Sequence, residues 1–322
     1  MIIRQTLVRL LDSLWREPRL VMRYYLGGQC KKNAFVEPYY VFMVDGKVGH
    51  GGMFDRLKGI LSLYAIAKSL DKDFRINFTY PFVLEKYLEP CQYDWRLKEG
   101  DLVFQFPMSR PIIAYGECYN PIRIMKNRCR QTHFYYGYDS LDKINEHFRT
   151  KYEWGKLYHE LFKPTAYLQQ FIDHYKQEIG SDYIAIHTRF LNLLGDKTET
   201  AINPELPIEK RPPYMQHIVE EIEHVKKYYD KRIMIASDSM TFIKYIEEKI
   251  PDVYVVPGTV KHIDTAGKTD DGENIKLFLD YYLIGNANKV YNIVGPGMWP
   301  SAFPEYAAKI GHTEFQRIVL AD

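Results

Sequence analysis

The chain has 322 residues, 46% of them hydrophobic and 26% charged, and a formal net charge of +2. That length suits two domains of roughly 150 residues each, with the composition of a globular, soluble protein. A charge so near balance argues against nucleic acid as a partner, and there is no stretch of about 18 apolar residues to cross a membrane.

The first 25 residues are amphipathic. Ile3, Leu7, Leu10, Leu11, Leu14 and Trp15 fall near helical spacing, with Arg4, Arg9, Arg16, Arg19 and Arg23 interspersed. This predicts a helix that either lies on an anionic membrane surface or packs on the protein's own body. Arg4, Arg9, Asp12, Arg16 and Glu17 interrupt any apolar core of a secretion signal. A polar turn at 27–33 leads to an apolar run at 39–44, which reads as a strand. Asp45-Gly46-Lys47 and Gly49-His50-Gly51-Gly52 then form a loop, and a helix is expected over 55–70 from the spacing of Leu57, Ile60, Leu61, Tyr64 and Ala65. Residues 74–78 alternate as a strand, completing a strand, glycine loop, helix, strand unit. Short strands are expected at 102–106 and 112–115, and helix over 152–175 with Pro164 starting a new helix.

The second half repeats the alternation. Strands are expected at 183–187, 232–236, 253–256 and 289–294, and helices at 214–228, 240–249, 274–286 and 301–310. Ser237-Asp238-Ser239 stands where a helix cap is needed. Repeated strand–helix units argue for an α/β fold with open parallel sheets, in which ligands bind at the carboxyl ends of strands. Cys30, Cys91, Cys118 and Cys129 show no CxxC pair or metal-ligand spacing. They read as free thiols of a reducing compartment, with a disulfide between two of them left open. The 27 tyrosines suit sugar-lined grooves as well as ordinary core packing.

Three loops fall where a parallel sheet receives its ligand. The first carries His187, Arg189, Asp196 and Lys197, the second Ser237, Asp238 and Ser239, the third Gly297 and Ser301 at a helix start. Arginine grips phosphate oxygens in fork geometry, and a helix N-terminus offers unpaired N–H groups. A nucleoside diphosphate fits that equipment. Each residue also has an ordinary role: Arg189 as an ion-pair partner, Asp238 and Ser301 as caps. The glycine loop is neither the dinucleotide fingerprint, because Phe54 stands where a third glycine is needed, nor a phosphate-binding P-loop. Metal-dependent transfer through Asp-x-Asp chemistry would draw on Asp71 and Asp73 or on Asp270 and Asp271, all in ordinary turn contexts.

Gly51-Gly52-Met53-Phe54-Asp55-Arg56-Leu57-Lys58-Gly59 resembles the opening motif of fucosyltransferases of the α1,2, α1,6 and protein-O type, roughly G-G-x-G-[DN]-R-L-x-G. Ile184 to Arg189, ending at Gly195-Asp196, is similar to their H-x-R-x-G-D signature with the insert 190–194. Ile235-Ala236-Ser237-Asp238 is similar to their second donor motif. Asp280, Leu283, Val290 and the stretch 295–307, with Ser301-Ala302-Phe303-Pro304 and Ala307, is similar to the third. The four motifs occur in order over about residues 40–310. Phe54 in place of glycine and the displacement of Asp196 by the insert are departures.

The resemblance implies a GT-B fold, two Rossmann-like domains facing a central cleft. Residues 1–35 would be the amphipathic segment, 36–178 the acceptor-side domain and 179–322 the domain that binds the nucleotide sugar. It implies an inverting transfer of fucose from GDP-fucose to a glycan or glycolipid hydroxyl, with no metal and no cofactor. Arg189 would hold the β-phosphate, Asp238 the nucleoside, and Ser301 with its helix start the phosphates. His187, Ser239, Ala302 and Arg56 would also face the donor, and His50, Gly51 and Gly52 the acceptor. Asp55 is the candidate base. The expected setting is surface-polysaccharide assembly in the cytoplasm, peripheral at the inner face of the membrane. The alternatives are a transferase using another nucleotide sugar and an inactive relative that binds nucleotide or carbohydrate.

Overall fold

The computed structural model describes residues 11–26, 38–114, 119–125, 130–196, 205–258 and 269–321. Residues 1–10, the turn at 27–33, Cys30, Cys118, Cys129, Lys197 and Pro204 lie outside the described residues. The chain divides into two compact units, Met1–Leu84 with Glu89–Lys163, and Glu85–Leu88 with Pro164–Asp322. The helix Ala166–Ile179 thus belongs to the second unit.

In the first unit, β1 (Tyr40–Val44), β2 (Phe74–Phe78), β4 (Ser109–Ala114) and β5 (Gln131–Tyr136) form one sheet in the order β2-β1-β5-β4; β3 (Leu88–Pro90) lies outside it. All its pairings are parallel, with Tyr40 opposite Phe74 and Thr132, and Ser109 opposite Gln131. Every residue of β1 is buried, as a run of apolar residues covered on both faces requires. The helix Met53–Ser69 packs on this sheet. Its Gly59 sits so close that an added Cβ would lie 2.2 Å from the carbonyl oxygen of Tyr136.

The expected strand at 102–106 does not form, and β5 takes its place. The N–H of Val103 donates to Gln131 Oε1 (3.0 Å) rather than to a backbone ladder. β5 escapes a reading by hydropathy because it opens Gln131-Thr132-His133, yet all six of its residues are buried. Gln131 Nε2 donates to the carbonyl of Asp101 (2.5 Å), and His133 Nδ1 is hydrogen-bonded to the Tyr25 hydroxyl (2.7 Å). Polar side chains tolerate such burial when they find partners.

The stretch 152–175 is two helices, Trp154–Leu161 and Ala166–Ile179, separated by β6 (Phe162–Pro164). The second unit's sheet comprises β7 (Tyr183–Thr188), β8 (Arg232–Ser237), β9 (Tyr254–Val255), β10 (Lys289–Val294) and β11 (Glu314–Val319). Its order is β11-β10-β7-β8-β9, all parallel. The chain winds outward from β7 through β8 to β9, then returns to the other side for β10 and β11. The strand order therefore reverses between β7 and β10, the point at which open α/β sheets leave a crevice for ligands. The helices Arg211–Tyr228, Met240–Lys249, Asp271–Gly285 and Phe303–Gly311 complete the unit.

Candidate functional site

β7 ends in His187-Thr188, and Arg189 is the first residue beyond it. Alternation along a strand sends successive side chains to opposite faces. His187 is stacked on Phe303 (ring centroids 5.3 Å, planes at 26°), which in turn meets Tyr281 edge-on at 5.8 Å. Both His187 Nδ1 and Thr188 Oγ1 are buried without a hydrogen-bond partner. Burial, reinforced by the positive charges of Arg189 and Lys276, pulls the His187 pKa down to about 3, so the ring is neutral at pH 7. Arg189 itself is half-buried. Its carbonyl accepts from the N–H of Trp299 (3.3 Å), tying the loop after β7 to the loop after β10.

Asp238 has a more specific task than a cap. Its Oδ1 accepts from the N–H of Phe190 (2.7 Å) and its Oδ2 from the N–H of Leu191 (2.9 Å). The carboxylate proposed for the nucleoside thus holds the backbone just after Arg189. The insert is built in rather than looped out: Phe190, Leu193 and Leu194 are buried in the core, with Phe190 against Phe242 at 4.7 Å. Asp196, displaced by this insert, is bonded to Ser239 and Thr241. Its Oδ1 accepts from Thr241 N (3.2 Å) and Oγ1 (2.9 Å), and its Oδ2 accepts from the Ser239 hydroxyl. Ser239 also caps the helix Met240–Lys249 by accepting from Phe242 N (3.0 Å). Asp238, Ser239 and Asp196 together brace the Arg189 loop.

After β10 the chain turns through Gly297, at φ 76°, a left-handed conformation suited to glycine. Ser301 is buried, and its Oγ accepts from the N–H of Phe303 (3.2 Å). The helix starts at Phe303, with Ala302 at its cap position and Pro304 in its first turn. Proline has no N–H, so this helix start offers fewer donors to an anion than the sequence suggests. A hydrogen-bonded chain links the two loops from beneath. Asn292 Nδ2 donates to the carbonyl of His187 (3.1 Å), Arg317 Nε to Asn292 Oδ1 (3.0 Å), and Arg317 Nη2 to the carbonyl of Ser301 (3.1 Å).

Sequence reasoning missed Asn292, Arg317, Arg211 and Lys276. Arg211 ties its loop down through the carbonyls of Leu194 (2.8 Å) and Leu206 (2.9 Å). Lys276 reaches Asp280 one helical turn away with both oxygens at 2.5 Å, and both residues are buried. Burial raises the Asp280 pKa against the pull of Lys276. The four-residue spacing of Lys276 and Asp280 was the readable signal.

In the first unit, the strand order reverses between β1 and β5, and the loop after β1 carries His50, Gly51 and Gly52. Arg56 is buried; its Nε donates to the carbonyl of Gly51 (2.7 Å) and its Nη1 to that of Tyr80 (2.8 Å). These two bonds hold the glycine loop. Gly52 is the cap position of the following helix, and a Cβ on Gly51 would come within 2.9 Å of Asp55. Asp55 stands in the first turn with its side chain 48% exposed, paired to Lys58 at 3.2 Å. His50 stacks on Tyr135 at 5.9 Å, and its Nε2 accepts from Gly46 N (3.2 Å). Burial first, then Arg56, lowers its pKa to about 4, with Asp45 opposing.

Asp270 and Asp271 are engaged in structure. Asp270 forms a capping box with Glu273, and Asp271 accepts from the hydroxyls of Tyr87 and Tyr167 and pairs with Lys86. Among the described residues no three His, Cys, Asp or Glu side chains cluster as a metal site. Cys91 is free and exposed.

No protein-family model and no curated protein matches the sequence. The solved structures do. The chain is similar to fucosyltransferase NodZ from Bradyrhizobium, an α1,6-fucosyltransferase also solved with GDP and with GDP-fucose; identity is 15%, coverage 85% of this chain and 93% of that one, and TM-score 0.54. It is similar to a variant of Arabidopsis thaliana FUT1 in complex with GDP at 11% identity, covering 94% of this chain and 73% of that one, with TM-score 0.54. Apo POFUT1 is a third, at 12% identity, 89% and 99% coverage and TM-score 0.51. The fold is α/β, two parallel-sheet units of GT-B type as in these fucosyltransferases.

Proposed function

We propose that the chain is an inverting glycosyltransferase that moves a sugar, fucose first of all, from a GDP-linked donor to a glycan or glycolipid hydroxyl without a metal ion. The observation that carries this reading is the end of β7. There Arg189 stands half-buried on a loop held by Asp238, at the strand-order reversal of a parallel sheet. Open α/β sheets bind ligands in the crevice at such a reversal, and a guanidinium placed there suits an anionic group. The same fold in structures solved with GDP supports the donor class.

The chemistry follows from charge. As the bond from sugar to diphosphate breaks, negative charge builds on the departing phosphate oxygens. A fixed guanidinium stabilises that charge and donates to two oxygens in fork geometry. Asp238, through Phe190 N and Leu191 N, keeps the backbone from rearranging when the charge appears. The acceptor hydroxyl loses a proton as it attacks from the opposite side; Asp55 is our candidate to take it.

A thermal-shift panel of GDP-, UDP-, CMP- and dTDP-sugars, each with and without EDTA, tests the donor class. GDP and GDP-fucose are expected to stabilise the protein by about 2.7 kcal/mol at a hundred times Kd, with EDTA making no difference. Stabilisation by UDP-sugars alone, or only with a divalent ion, overturns the assignment. GDP release on adding glycan acceptors then separates turnover from binding.

A further inference from the structure

The helix Glu17–Tyr24, preceded by a turn of π-helix over Asp12–Arg16, has two apolar faces. One is docked. Leu20 and Tyr25 enter a core cluster with Val41, Met43, Ile113 and Tyr135, and Glu17 Oε1 accepts from the N–H of Ile113 (3.1 Å). The other faces away from the protein. Leu11, Leu14, Trp15, Met22 and Leu26 are each between 55% and 68% exposed. Leu14 and Trp15 lie on the π-helical turn, Leu11 directly before it and Met22 on the helix that continues it, so they belong to one continuous helical segment. Isolated exposed apolar residues need no explanation, but a contiguous stripe marks an interaction surface.

The charges beside the stripe say what it meets. Arg16, Arg19 and Arg23 are exposed, while the acidic residue of the helix, Glu17, is buried beneath it. The exposed rim of this helix is therefore cationic. A second copy of the chain would bring its own arginines against these, whereas an anionic lipid surface complements them. Arginine stems also lie along apolar surface while their heads reach phosphate level, and tryptophan favours the same interface.

We propose that residues 11–26 form an in-plane docking surface for an anionic bilayer, with Leu11, Leu14, Trp15 and Met22 inserted among the acyl chains and Arg16, Arg19 and Arg23 on the lipid phosphates. This inference is independent of the donor chemistry proposed above, which rests on the second unit alone.

Flotation of the full chain with vesicles tests it, comparing phosphatidylcholine alone with a mixture holding roughly a third phosphatidylglycerol. Expected is binding to the anionic vesicles, little to the neutral ones, and loss on raising salt. Arg19→Gln and Arg23→Gln should each weaken binding by about fivefold. Trp15→Ser with Met22→Ser should abolish it while leaving the thermal shift with GDP as in the parent chain. Because these side chains are exposed, the substitutions leave the docked face intact. Equal binding to both vesicle types, no binding to either, or retention by the double variant overturns the proposal. So does a lipid-free dimer, seen by sedimentation equilibrium, that the double variant dissolves; the stripe would then be a contact between copies.

Discussion

Arg189 presents a planar cation at the end of β7, on a loop braced by Asp238 and tied through its own carbonyl to Trp299. Arg189→Ala is expected to lower turnover by about 10²–10³-fold, the scale of losing a fixed donor to developing charge. Arg189→Lys should recover only part of that, because a point charge lacks the fork. Steady-state kinetics with GDP-fucose checks both. Asp238→Ala acts differently. It strips two buried N–H groups of their acceptor, an expected cost of about 1–3 kcal/mol each. It should therefore lower stability as well as GDP affinity, while Asp238→Asn, which keeps one acceptor, falls between; chemical denaturation read beside calorimetric titration separates the two effects. The place of Arg189 just after a buried strand was legible, but the direction of Asp238 was not. A carboxylate at a strand end looks the same in sequence whether it faces ligand or its own loop. Nothing local in the sequence announces that Gly51 and Tyr80 bring their carbonyls to Arg56.

The elements divide along a physical line. β1, β2, β7, β8 and β10 announce themselves because apolar or alternating residues with short turn signals leave no competing reading. β5 does not, since Gln131 and His133 meet their partners across long sequence separations. β11 does not either, because it is an edge strand whose residues are mostly exposed, so burial imposes no pattern on it. The insert at 190–194 looked like an addition to a loop, yet Phe190 and Leu194 are core residues. Gly59 is a case where a motif residue has a purely steric origin. Gly59→Ala must push the helix Met53–Ser69 away from the carbonyl of Tyr136. The expected destabilisation is about 1–3 kcal/mol, as for other overpacked sites, seen as a lower urea midpoint with unchanged slope.

Among the described residues, the half-buried His50 and the buried His133 and His187 act in the same direction. Burial lowers His50 to about 4 and His133 and His187 to about 3, against an ordinary value of 6.5. As pH falls, the unfolded chain takes up these protons before the folded one does. Their contribution to stability is therefore present above about pH 6.5 and is lost progressively as pH falls, toward 4 for His50 and toward 3 for His133 and His187, by up to about 1.4 kcal/mol per pH unit for each histidine. Denaturation midpoints measured between roughly pH 7 and 5 should fall, and His133→Asn should flatten that fall while lowering stability at neutral pH; a midpoint independent of pH in this range contradicts it. The two-unit α/β plan was readable from the repeated strand–helix alternation, but the course of the chain between the units was not. Glu85–Leu88 belongs to the second unit although it lies in the midst of the first unit's sequence. Tyr87 stacks on Phe278 at 5.2 Å, donates its hydroxyl to Asp271 and accepts from Asn274 Nδ2 at 3.2 Å. A fragment begun at Pro164 would therefore lack an aromatic plug and the phenol that steadies a helix start. The second unit is a circuit threaded through the first unit's sequence rather than a detachable tail, and a vector that expresses it alone must splice the four residues of that segment back in.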